Sequence, residues 1–183
     1  PSIWQPYRML HKLFNKESVV ADHASPIFRG APYVVWACMT LACAIVPALS
    51  TDLPLSPAAD AIALVGLFAL ARVSISLAAM DVGTAFGGIG SSREVLIASL
   101  AEPAMLMIVL TLALVAGSTQ LSTMAAYMGA GVIGLRVSLG LALLALIMVA
   151  IAENARIPID NPATHLELTM VHEAMVLEYS GRH

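Results

Sequence analysis

Residues 132–162 read VIGLRVSLGLALLALIMVAIAENARIPIDNP. Up to Ala152 the run is almost wholly apolar, with Arg136 its single charge. As a helix rising about 1.5 Å per residue, it is long enough to cross a hydrocarbon core of about 30 Å. The chain then changes character within ten residues. Glu153-Asn154-Ala155-Arg156-Ile157-Pro158-Ile159-Asp160-Asn161-Pro162 holds three charges and two prolines, which stop a helix. A membrane helix ending this abruptly delivers its charges to the bilayer surface. The stretch is the expected junction between a membrane domain and a water-soluble partner.

Composition extends that reading to the whole chain. Of 183 residues, 59% are hydrophobic and only 11% charged, against about a quarter charged in a soluble domain. The mean hydropathy is +0.85. So few polar side chains cannot cover a soluble globule, and the expected fold is an all-α polytopic membrane protein. Four transmembrane helices are expected, near 31–49, 58–80, 93–116 and 132–152, flanked by amphipathic cytoplasmic helices. Residues 1–30 form an amphipathic interfacial segment: Trp4, Tyr7, Leu10, Leu13 and Phe14 recur at helical spacing among Arg8, His11, Lys12 and Lys16. An acidic face of a partner is the other surface such a segment suits. Between the spans lie a short turn at 51–57, a glycine-rich loop at 81–92 (DVGTAFGGIGSS) and a polar loop at 117–131. Residues 153–183 make the junction loop and a further helix over 164–178. The start at Pro1 and the end at Gly181-Arg182-His183 suggest a piece of a longer subunit.

Charge asymmetry orients the spans. Seven of the nine cations (Arg8, Lys12, Lys16, Arg29, Arg93, Arg156 and Arg182) fall on one side if the N-terminus is cytoplasmic, and the two opposite loops hold none. The positive-inside rule then puts 1–30, 81–92 and 153–183 on the cytoplasmic side of the inner membrane. Local signals include a capping box at Ser91-x-x-Glu94, an N-cap and first-turn proline at Asn161-Pro162, and a second box at Thr164-x-x-Glu167.

Charged groups inside spans are costly and mark function or pairing. Arg72 and Glu102 each lie about nine residues from the cytoplasmic ends of adjacent antiparallel spans, about 13 Å deep. They are expected to face each other or share a polar cavity, as a static ion pair or with Glu102 as a carboxylate on an ion path. Pro103 next to it should kink the helix. Asp81, Glu94 and Glu153, nearer the surface, would continue a graded carboxylate series from the interface to Glu102. Other chemistries find little support. Cys38 and Cys43 lie in one apolar run with no Cys-x-x-Cys spacing, and read as two small buried thiols. His172-Glu173 lacks the second histidine of a zinc-protease motif, and His165 with His172 make no metal site. The Gly-rich stretch lacks the context of a phosphate loop. No catalytic residues are assigned, and the basic patch is too small for nucleic acid.

The junction carries a resemblance. Glu153 to Asp160 resembles the signature Glu-x-Asn-Arg-x-Pro-Phe-Asp of the respiratory complex I subunit 1 (NuoH) family, and Glu178-Tyr179-Ser180-Gly181 is similar to that family's second signature. Between them, Asn161-Pro162-Ala163-Thr164-His165-Leu166-Glu167 departs from the complex I pattern. It is similar instead to energy-converting nickel–iron hydrogenases, the hydrogenase-4 component C branch near formate hydrogenlyase. Gln5-Pro6-Tyr7-Arg8, Phe86-Gly87-Gly88 and Glu102-Pro103 are similar to that branch too.

The resemblance implies a coupling subunit of a membrane oxidoreductase complex, with no redox centre of its own. Nickel–iron and iron–sulfur centres would belong to partner subunits. Those partners would be hydrophilic hydrogenase or dehydrogenase subunits and antiporter-like membrane subunits. Glu153, Arg156 and Asp160 match the loop that docks the hydrophilic arm, and Glu167, Glu173 and Glu178 extend that acidic docking surface. Glu94 and Glu102 match carboxylates that open a charged axis into the membrane. Complex I holds quinone in these surroundings. The hydrogenase branch needs none, and the departure at 161–170 argues against it. A quinone-site subunit and a pure membrane scaffold are the alternatives.

Overall fold

The computed structural model describes residues 3–17, 19–21, 23–47, 55–130, 137–154, 156, 159 and 171–180. Among them the chain is helical: α1 (Gln5–Phe14), α2 (Pro26–Ile45), α3 (Ala61–Asp81), α4 (Ala85–Ala116), α5 (Leu121–Gly129), α6 (Val137–Glu153) and α7 (His172–Val176). A 3₁₀ turn covers Ser56–Ala58, and one isolated bridge pairs Asp60 with Gln120. Helices α2, α3 and α4 are long and apolar enough to cross a membrane; α6 is apolar and shorter. The expected polytopic all-α architecture stands, as three helices of full spanning length and a shorter apolar fourth, α6.

Helix starts follow from capping. Ser25 Oγ accepts the Ile27 N–H at the start of α2, ahead of a first-turn Pro26. Asp60 Oδ1 accepts the Ile62 N–H at 2.7 Å to open α3. Thr84 Oγ1 accepts the Gly87 N–H at 3.2 Å to open α4. Gly117, at φ 73°, closes α4 in the left-handed region where a side chain would be strained.

Four expectations are corrected here. The stretch 81–92 is not a loop: only 82–84 turn, with Gly83 at φ 71°, and Gly87 to Ser92 are already in α4. The Ser91/Glu94 pair therefore caps nothing, because the helix begins two turns earlier at Thr84; Ser91 Oγ instead donates to the Ser76 carbonyl at 2.9 Å. The polar stretch 117–131 contains α5, tied to the start of α3 by Ala61 N–H to Thr119 O and Leu121 N–H to Ala59 O, both 2.9 Å. Cys38 is buried but Cys43 is exposed on the bundle surface. Helix α4 runs through Pro103 without ending. The cap at Asn161-Pro162, the box at Thr164-x-x-Glu167, and Arg136 lie outside the described residues, as do residues 164–170 of the expected 164–178 helix; over 171–178 the helix is the short α7.

The helices pack in the order α2–α3–α4–α6, with α7 laid across α3 and α4. Contacts are made by small residues. Ala71, Ala78 and Ala79 of α3 are buried, and Ala101 and Ile108 of α4 meet Val149 of α6. In lipid the apolar phase offers no net drive to associate helices, so close approach through small side chains holds them. Phe28 and Ala31 of α2 with Ala78 of α3 form a second core, closed by Tyr179.

Candidate functional site

The turn at 82–84 decides which charges meet. Arg72 lies nine residues before the end of α3, and Glu94 nine residues after the start of α4. Both are thus about 13 Å from the turn, at one level. Arg72 Nε is 3.3 Å from Glu94 Oε1, and its other end reaches Glu153 Oε2 of α6 at 2.9 Å. Glu94 is 2% exposed and Arg72 11%. His172, the first residue of α7, brings Nε2 to 3.6 Å from Glu94 Oε2. Four charge-bearing groups from four helices therefore meet around one buried ion pair, Arg72–Glu94.

The expected Arg72–Glu102 pairing is replaced by this arrangement. That expectation started the third span at residue 93, whereas α4 starts at Ala85, which moves Glu94 into register with Arg72. Glu102 lies eight residues, about 12 Å, further along α4. It is half-buried, and Glu153 is within electrostatic reach of Arg72, Glu94, Glu102 and His172. Glu94 and Glu153 are joined through Arg72, which both carboxylates contact. Asp81 is not in this group: its Oδ2 accepts the Ser25 N–H at 2.7 Å and stabilises the start of α2.

The cluster's hydrogen bonding is incomplete. The short Arg72–Glu153 contact is an ion pair out of line with the N–H bonds. Among the described residues, Arg72 Nη1 and Nη2, Glu94 Oε2 and Glu102 Oε1 are buried without a hydrogen-bond partner. Such atoms are costly in an apolar bundle and are where waters or a mobile proton are accommodated.

The 171–180 segment is sewn to the same end of the bundle. Gly90 of α4 lets it approach: a Cβ there would stand 2.9 Å from the Val171 carbonyl oxygen and 3.0 Å from Ala174 Cβ. Ser76 Oγ donates to Met175 Sδ at 3.8 Å. Tyr179 stacks on Phe28, with ring centroids 4.1 Å apart and planes 6° apart. Its hydroxyl donates to the Phe28 carbonyl at 2.8 Å. That carbonyl lacks its usual helical donor, because residue 32 is a proline. Ser180 Oγ accepts the Val19 N–H at 2.9 Å and donates to the Val19 carbonyl at 3.0 Å.

The family described as NADH dehydrogenase matches residues 1–183. The chain belongs to that family. It is 35% identical to hydrogenase-4 component C of Escherichia coli (strain K12) over 181 residues, 99% of this chain and 56% of the relative. It is 33% identical to formate hydrogenlyase subunit 4 of the same organism, over 99% of this chain and 58% of the relative. It thus spans a little over half the length of these relatives.

In this NADH dehydrogenase family chain the two signature segments meet one structural end. Glu153 closes α6 inside the charge cluster, and Tyr179 and Ser180 of the second segment hold α2 and its approach. Arg156 and Glu173 are exposed and Glu178 is half-buried at that end; Asp160 and Glu167 lie outside the described residues. His172 as a neighbour of Glu94, and Tyr179 as the donor for the carbonyl freed by Pro32, were not expected from sequence. Each links positions far apart in the chain, and nothing local to either residue signals its partner. No group of His, Cys, Asp and Glu among the described residues makes a metal site.

Proposed function

We propose that this chain is part of the membrane-anchoring and coupling subunit of a complex I-like, energy-converting nickel–iron hydrogenase. It sits in the inner membrane with the α7 end cytoplasmic, docks a hydrophilic hydrogenase arm there, and passes the effect of redox chemistry in that arm to antiporter-like membrane subunits that move protons or sodium. The chain itself holds no redox centre in this reading; nickel–iron and iron–sulfur centres belong to its partners. The observation that carries the proposal is the buried Glu94 held between Arg72 and His172, with Glu153 on the other end of the same guanidinium. One of Glu94's contacts belongs to the docking end, and the proposed series continues through Glu153 toward Glu102. Moving charge on His172 or Glu153 changes the field on Glu94, and in a low-dielectric bundle that effect extends to Glu102. This gives the docking end an electrostatic route into the membrane without a cofactor.

The test is Glu102→Gln in the intact membrane complex, with hydrogen turnover and ion uptake into vesicles measured together. The proposal expects assembly and redox turnover to persist while ion uptake falls by at least tenfold. Unchanged ion uptake would reduce the series to structural support and favour the scaffold reading. Metal analysis of the purified complex checks the chemistry of the partner arm. Nickel with iron supports the hydrogenase assignment. Iron without nickel, with bound quinone, moves it to a quinone-reactive dehydrogenase.

A further inference from the structure

We infer that the open face of α4 around Ser99 and Pro103 docks a transmembrane helix of a neighbouring membrane subunit, and that this helix presents a lysine or arginine to Glu102. Such docking rests on the chain's proposed place among membrane subunits and holds whether or not the complex moves ions. Ser99 lies fourteen residues after Ala85 and seventeen before Ala116, about 21 Å and about 26 Å from the two ends of α4. That is well inside a hydrocarbon core of about 30 Å. Pro103 removes the N–H that would bond the Ser99 carbonyl. The same loss on α2 is made good, because the Tyr179 hydroxyl donates to the Phe28 carbonyl. On α4 no such donor stands among the described residues. The Ser99 hydroxyl itself bends back to the Leu96 carbonyl at 2.7 Å, and that of Ser92 to the Ile89 carbonyl at 2.9 Å.

At about 100° per residue, Ser92, Ser99 and Pro103 fall on one side of α4, opposite the buried Glu94, Ala101 and Ile108. All three are exposed. Beside them Leu100 is 71% exposed and Met107 63%. Small side chains flanked by large apolar ones let a second helix come close. Glu102, three residues on from Ser99, stands at the edge of this face and is half-buried. Arg72 is already shared by Glu94 and Glu153, and among the described residues no cation lies within ion-pair distance of Glu102. The charge within its electrostatic reach at Glu153 has the same sign. A carboxylate and a freed carbonyl are both acceptors, and acyl chains carry no donor. A second copy of this chain would bring the same two acceptors and the same negative charge. A lysine or arginine on a neighbouring helix supplies donors to both and a counter-charge to Glu102, so a cationic helix is the occupant this face fits.

The experiment uses the intact membrane complex with the photo-crosslinking residue p-benzoylphenylalanine in place of Leu100, and mass spectrometry of the crosslinked peptide. The expected product is a transmembrane helix of another subunit with a lysine or arginine level with Glu102. Glu102→Lys should then lower recovery of that subunit at least tenfold, through like charges in a low-dielectric contact, and glutamate in place of the partner's cation should restore it. Glu102→Gln keeps an acceptor and should leave the subunit bound. If Glu102→Lys fails to fold, the Leu100 crosslink in the otherwise unaltered complex decides. Crosslinks confined to lipid, to a second copy or to this subunit's own polypeptide would overturn the proposal. So would a partner helix without a cation, or a folded Glu102→Lys complex that retains the subunit. The readout is assembly, so its failure leaves the coupling role standing, and loss of the coupling role leaves this contact standing.

Discussion

Replacing Arg72 by leucine would leave Glu94 buried with no guanidinium beside it. Removing one partner of a buried ion pair costs about 3–5 kcal/mol, because the other charge stays in a low-dielectric site. Arg72→Leu should therefore lower the thermal unfolding temperature markedly, and adding Glu94→Leu should recover much of the loss. A double-mutant cycle in detergent or nanodiscs measures both. Tyr179 offers a second test at this scale. Tyr179→Phe keeps the stack on Phe28 but strips the donor from a carbonyl that Pro32 has already deprived of its helical one. About 1–3 kcal/mol is expected, the cost of an unsatisfied buried acceptor. In a Pro32→Ala background the backbone N–H of residue 32 can serve that carbonyl, so the same Tyr179→Phe change should cost less. Additive losses, seen by hydrogen exchange over 171–180, would refute the pairing.

Helix α4 owes its register to its glycines. A Cβ on Gly87 would stand 2.5 Å from the Ala79 carbonyl oxygen, a rigid backbone atom, whereas one on Gly88 would meet nothing within 4 Å. Gly87→Ala should destabilise the α3–α4 hairpin by about 1–3 kcal/mol through forced backbone movement. Gly88→Ala, in the same helix, should be neutral or stabilising by up to about 1 kcal/mol from helix propensity. Thermal unfolding of the two variants side by side separates packing from propensity. The same glycines explain why the stretch 81–92 suggests a loop from sequence. Clustered glycines are the usual mark of a turn, and only the backbone of α3 and the 171–180 segment reveal that they are needed for close approach. Moving the helix start from 93 to Ala85 then exchanges Glu102 for Glu94 as the partner of Arg72.

Across the whole molecule, the two ends of the bundle should fail at opposite extremes of pH. At the α5 end, the Thr119 hydroxyl and then the Ile62 N–H hold the Asp60 carboxyl below its ordinary 3.8. A lowered carboxyl contributes stability that is present above 3.8 and lost as pH falls through its folded value. At the α7 end, burial and then the Asp81 charge push the Tyr179 phenol above 10.0. A raised phenol contributes stability that is present below 10.0 and lost as pH rises through its folded value. Hydrogen exchange should thus show acid loosening the Asp60–Thr119 clasp and alkali releasing 171–180. Tyr179→Phe should abolish the alkaline release. Loss of both ends together at either extreme would show instead that the bundle responds as one unit.

The sequence by itself determined the solvent of this protein and the end at which its charged groups gather. Hydrocarbon requires long uncharged helices, and the sudden charge after Ala152 marks where one stops; both are properties of contiguous residues. It also singled out Arg72, Glu94, Glu102 and Glu153, because charge in an apolar run is conspicuous without any partner. Pairing was decided by the tertiary structure alone. Arg72 reaches Glu94 and Glu153 because of a three-residue turn and close helix contacts. Tyr179 finds Phe28 across 151 positions of chain, and His172 reaches Glu94 because Gly90 has no side chain. Such contacts depend on register and separation between helices, to which the periodicity within any one helix is blind.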